Sequence, residues 1–102
     1  MSVILSDEAK DDLYAIWHYV SGNNPEAADA LIVQVNEKLD MLAQNPYAGR
    51  QRDELRHGIR SLVLGSCLIF YRFTAPDVTI TRIVHGSRDI PTLFGPSSGN
   101  NL

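Results

Sequence analysis

The joint at Gly22-Asn23-Asn24-Pro25 constrains this chain more than any other feature. Before it, Ala9, Leu13, Ile16 and Val20 recur at helical spacing and fall on one face. After it, Ala28, Leu31, Ile32, Val35, Leu39 and Leu42 fall within an arc of about 100° at the same period. Ser6 suits the start of the first helix, because its hydroxyl can accept from an otherwise orphaned amide. Asp7 and Glu8 then stand where the helix dipole favours negative charge. Gly22 suits the left-handed conformation that ends many helices. Asn24 can cap the second helix, Pro25 fits its first position, where a missing N–H is no loss, and Asn45-Pro46 stops it. So short a joint forces the two helices antiparallel, and their shared apolar face needs a cover.

The rest of the chain supplies the cover. Residues 2–5 read as a short strand and residues 47–58 as an irregular, charged connection. Residues 59–64 and 67–73 read as strands joined by the two-residue turn Gly65-Ser66. The second of these is apolar on both faces until Arg72, as expected of a central strand. Ala75-Pro76-Asp77 turns the chain into a third strand, 78–85, rich in β-branched residues. The order β-α-α-β-β-β predicts an α+β fold: an N-terminal strand, an antiparallel helical hairpin, then a three-stranded antiparallel meander, with the helices packed on one sheet face. Leu13, Ile16, Leu31, Val35 and Leu39 are then expected to be nearly solvent-free, with Phe70 opposite them. Residues 1–90 read as a single domain. Residues 91–102, dominated by Pro, Gly, Ser and Asn, read as a mobile C-terminal tail.

Charge divides the chain in two. Residues 1–49 carry eight acids against Lys10 and Lys38, which leaves −6. Residues 50–102 carry seven arginines against Asp53, Glu54, Asp77 and Asp89, which leaves +3. Arginine presents a planar fork for phosphates, carboxylates and aromatic rings, so the arginine half is a candidate working surface. An overall charge of −3 argues against direct DNA binding. No apolar run approaches a membrane span, and the early acids Asp7, Glu8 and Asp11 do not suit a signal peptide, so a cytoplasmic protein without membrane contact is expected.

Most chemistry is disfavoured by spacing. His18, His57 and His85 are far apart, and Cys67 is the only cysteine, so neither a zinc motif nor a disulfide is expected. Gly58, Gly65 and Gly86 are isolated and form no phosphate-cradling loop, so no metal or cofactor is expected. Cys67 lies in an apolar strand, where a thiol is a core residue with a raised pKa. What remains is metal-independent RNA cleavage, which needs a proton-transfer group and cations for the phosphorane charge. Arg60, Arg72, Arg82, His85 and Arg88 offer those groups, equally open to a structural reading in which His85 and Arg88 tie the last strand to the acids of the first helix.

Five ordered blocks carry a resemblance. Residues 6–20 (Ser-Asp-Glu-Ala-Lys-Asp-Asp-Leu-Tyr-Ala-Ile-Trp-His-Tyr-Val) resemble the opening strand–helix unit of ParE toxins. Leu-Ala-Gln-Asn-Pro-Tyr-Ala-Gly-Arg at 42–50 and Leu-Arg-His-Gly-Ile-Arg at 55–60 resemble that family's helix exit and its approach to the sheet. Leu-Ile-Phe-Tyr-Arg at 68–72 and Ile-Thr-Arg-Ile-Val-His-Gly-Ser-Arg-Asp at 80–89 are similar to its last strands. The resemblance spans residues 2–90 and implies the toxin of a type II toxin–antitoxin system, within the ParE/RelE superfamily of plasmid stabilisation toxins. It further implies two partners: a ParD-like antitoxin whose C-terminal segment wraps the toxin, and DNA gyrase as the target.

The superfamily's RelE branch cuts mRNA on the ribosome instead, through strongly basic surfaces and a Tyr or His near the C-terminus. This chain is acidic, and no Tyr or His follows His85. A gyrase-inhibiting binding protein with no catalytic residue is therefore preferred to an enzyme. The alternative is a metal-independent endoribonuclease using His85, Arg72, Arg82 and Arg88. Trp17, Tyr19, Tyr14 and Arg60 are the candidates for antitoxin binding; Arg60, Arg72, Arg82 and Arg88 are those facing the target.

Overall fold

Ser6 opens the first helix in the way its chemistry suggests. In the computed structural model, which describes residues 2–86, its Oγ accepts from the Ala9 N–H at 3.0 Å and donates to the Thr81 carbonyl at 2.9 Å. The cap thus starts α1 (Asp7–Asn23) and ties it to the sheet. Arg88 and the tail expected at 91–102 lie outside the described residues.

The inter-helix joint works differently from the expectation. Gly22 is helical and does not take a left-handed conformation. Asn24, with extended backbone, closes one helix and opens the next: its N–H donates to the Val20 carbonyl, and its Oδ1 accepts from the Ala27 N–H at 3.1 Å. A single residue satisfying orphan groups of both helices makes a glycine terminator unnecessary. From it α2 runs Pro25–Gln44.

The five strands are β1 (Ser2–Leu5), β2 (Arg50–Gln51), β3 (Ile59–Leu64), β4 (Cys67–Thr74) and β5 (Asp77–His85), in the spatial order β1-β5-β4-β3-β2. β3, β4 and β5 form the expected antiparallel meander, and β1 joins β5 in parallel, ending at the pair Leu5↔Ile80. The connection read as irregular contains β2, whose Arg50 and Gln51 pair with Ser61 and Arg60. The sheet is therefore mixed, with the helical hairpin on one face.

That face holds the main core. Ile69, Tyr71, Val78, Ile80 and Ile83 meet Ala9, Ile16, Val35 and Leu42 there. Leu13, Leu31 and Leu39 pack against this cluster but keep partial exposure, being on the flanks of their stripes and not at the centre. Phe70 corrects the expected core. Strand alternation sends Ile69 and Tyr71 to the helices and Phe70 to the opposite face, where it meets Leu55, Ile59 and Val84 in a second, smaller cluster. A strand apolar on both faces does not reveal which side a given residue takes.

Candidate functional site

A single ridge of α1 shapes a predominantly apolar hollow. Lys10, Leu13, Tyr14 and Trp17 follow one another at i, i+3, i+4 and i+7, and with Leu5 of β1 and Ile32 of α2 they line a groove of about 380 Å³. Trp17 is half-buried in its wall, while Tyr14 keeps 66% of its surface exposed at the rim. The Tyr14 and Trp17 rings both make edge contacts with the His18 imidazole, at 5.6 and 6.2 Å between centroids. Tyr19 is exposed too, but it points elsewhere, its ring 6.0 Å from that of His85. Two of the three aromatic candidates therefore share a groove, and the third does not.

Among the described residues, the candidates Arg60, Arg72 and Arg82 do not converge. Arg60 lies on the helix side of β3, stacked 5.1 Å from the Tyr47 ring centre, and donates to the Gly49 carbonyl at 2.8 Å. It is occupied in holding the chain that leaves α2. Arg72 lies on the opposite face and donates through Nη2 to the His57 carbonyl at 3.3 Å; its buried Nε has no hydrogen-bond partner among the described residues. Arg82 grips Asp12 of α1 through two bonds, Nε to Oδ2 at 2.7 Å and Nη2 to Oδ1 at 3.0 Å. The Asp12 contact raises its pKa further, so it stays a fixed cation.

His85 stands apart from these. It pairs across the sheet with Cys67, whose side chain faces the helices, and both line a second hollow of about 330 Å³ floored by Val20, Leu31 and Leu64. Burial pushes the Cys67 thiol up, which keeps it protonated and inert. His85 and Arg72 therefore occupy opposite faces of one sheet, and Arg82 is drawn to the edge by Asp12. Among the described residues no three His, Cys, Asp or Glu side chains are grouped to hold a metal ion, and no helix is long and apolar enough to cross a membrane.

The family described as the ParE toxin of the type II toxin–antitoxin system parDE matches residues 3–90. The chain belongs to the ParE toxin family. Toxin ParE1 of Mycobacterium tuberculosis is 32% identical over 89 residues, covering 85% of this chain and 91% of that protein. Toxin ParE1 of Caulobacter vibrioides is 34% identical over 92 residues, covering 89% and 95%. Among solved structures, a chromosomal ParDE toxin–antitoxin system from P. aeruginosa has a chain with a TM-score of 0.71 at 29% identity, covering 85% of this chain and 97% of its own. As a ParE-type toxin of a type II system, the protein has an antitoxin as its implied partner.

Two parts of this ParE toxin were missed by reading the sequence. Asp12 is the acid that ties the last strand to α1, and it does so through Arg82 and the Ile83 N–H at 3.0 Å, not through His85. Its signal was available: Asp12 stands four residues before Ile16 and three after Ala9, an acid beside the buried stripe. Ile32 and Leu5, which complete the α1 groove, gave no signal, because only the packing of α2 and β1 against α1 brings them there.

Proposed function

We propose that this ParE-type toxin is a binding protein that poisons DNA gyrase in the cytoplasm and is neutralised by a cognate antitoxin lying along the helical hairpin. Family membership supports the class of target. The separation of His85 from Arg72 across the sheet carries the choice of mechanism. A metal-independent ribonuclease needs its proton-transfer group and its cations within reach of one phosphate. Here the imidazole faces α1 while one guanidinium faces away and another is bound to Asp12. A gyrase poison needs no general base, only a surface that fits the enzyme in its DNA-cleaved state.

The discriminating experiment uses purified toxin with gyrase and supercoiled DNA, and in parallel with ribosome-bound mRNA and no divalent metal. The expected outcome is gyrase trapped on nicked or linear DNA and intact mRNA. Folded His85→Gln should retain trapping within about threefold, since a group outside proton transfer does not supply the larger factors of general acid–base catalysis. Cleaved mRNA with unaffected gyrase would reverse the assignment.

A further inference from the structure

We propose that the groove between α1, α2 and β1 receives an amphipathic helical segment whose apolar anchors are flanked by lysine or arginine, so that the part of the partner lying on the hairpin is cationic. This rests on the reading that a partner protein docks along the hairpin, and adds the chemistry that the partner must have.

The groove defines the anchors. Its walls are Leu5, Leu13, Trp17, Ile32 and the ring of Tyr14, with only the Lys10 side chain bringing a charge. A ridge at i, i+3, i+4 and i+7 beside a trough is the shape that a second helix packs into, and aromatic residues at such a margin are effective anchors.

The rim defines the charge. Asp7, Glu8, Asp11, Glu26, Asp29, Glu37 and Asp40 are all exposed, and none of them takes part in an ion pair among the described residues. Among the described residues Asp12 is the one acid of the hairpin in an ion pair, with Arg82, and Glu8 acts on the same guanidinium through space. Asp7 and Asp11 stand one to two turns before Tyr14 on α1, and Asp29 stands one turn before Ile32 on α2, so acids border the groove on both helices. The helix dipole accounts for Asp7, Glu8 and Glu26 in first turns. It gives no reason for Asp11, Asp29, Glu37 and Asp40. Against Lys10 and Lys38 on the same two helices, the seven acids leave a net charge of −5, so like charges still repel one another across the hairpin. A cationic segment relieves that repulsion as it binds, whereas an acidic one adds to it.

The test uses Trp17, the only tryptophan of the chain, as a reporter within the groove itself. Two synthetic peptides of about 18 residues share a leucine–phenylalanine stripe at helical period and carry either all lysine or all glutamate elsewhere. Each is titrated into the intact toxin while Trp17 emission is followed, in low and in high salt. The lysine peptide should shift the emission to the blue and bind at least about tenfold more tightly than the glutamate peptide, with the advantage shrinking as salt screens it. In the toxin variant carrying both Asp11→Lys and Asp29→Lys, the preference should shrink or reverse. Equal affinities, a preference for glutamate, lysine-peptide binding that leaves Trp17 unchanged, or no binding of either peptide would each overturn the proposal. Gyrase trapping by the toxin alone is independent of all four results, so the charge of the docked segment can fail while the gyrase reading stands.

Discussion

Tyr71 uses both hydrogen-bonding capacities of its hydroxyl on the chain leaving α2: it donates to the Pro46 carbonyl at 2.8 Å and accepts from the Gly49 N–H at 2.7 Å. Glycine is required at the second contact, because a Cβ on Gly49 would lie 2.6 Å from the Tyr71 hydroxyl oxygen and 2.8 Å from the Ser61 carbonyl oxygen. Replacing Tyr71 by Phe leaves a buried N–H without its acceptor. The expected loss is about 1–3 kcal/mol, read as a lower urea midpoint at unchanged slope. Burial also pushes the Tyr71 phenol above its ordinary value of 10.0. A folded-state pKa raised in this way leaves stability intact below the unfolded value and removes it as pH rises from there through the higher folded value. Cys67, raised by burial, acts in the same sense, so comparing the alkaline loss in Tyr71→Phe with that of the parent isolates the phenol.

Asp12 shows what joins one element to another. β1 ends at its pairing with Ile80, so among the described residues the end of β5 toward His85 has no strand beside it on that edge. A backbone donor left there needs a partner, and α1 supplies the Asp12 carboxylate to the Ile83 N–H while the same carboxylate holds Arg82. Both side chains are partly exposed, 16% for Asp12 and 26% for Arg82, which moderates the ion pair without removing its hydrogen bonds. Asp12→Ala should cost about 1.5–3 kcal/mol in urea unfolding. Asp12→Ala combined with Arg82→Ala should cost less than the sum of the two single changes, because they share one interaction; strict additivity would show that the contact contributes nothing.

At the scale of the whole molecule, one described surface is acidic and grooved, and Arg60, Arg72 and Arg82 are distributed between the two sheet faces and the β5 edge. For a toxin held by an antitoxin along its hairpin, Trp17→Ala should weaken antitoxin binding by more than about 1 kcal/mol in calorimetry while the far-ultraviolet spectrum is retained. Unchanged affinity would take Trp17 out of the interface. Much of this architecture was legible in the chain because it depends on short-range physics. The stripes of both helices, the caps at Ser6 and Asn24, the turn at Gly65-Ser66 and the lengths of the meander strands follow from neighbours a few residues apart. The face chosen by Phe70, the short strand β2 and the fate of each arginine do not. An apolar residue in a doubly buried strand carries no mark of its side. A two-residue strand exists only because β3 offers it an edge. A guanidinium at the end of a long side chain goes to whichever acceptor the fold brings within reach: Asp12 for Arg82, the Gly49 carbonyl for Arg60, the His57 carbonyl for Arg72. Residue type and local spacing determined the elements and their order; the positions of groups distant in sequence, set only when hairpin and sheet close on one another, decided the groove and where the charges went.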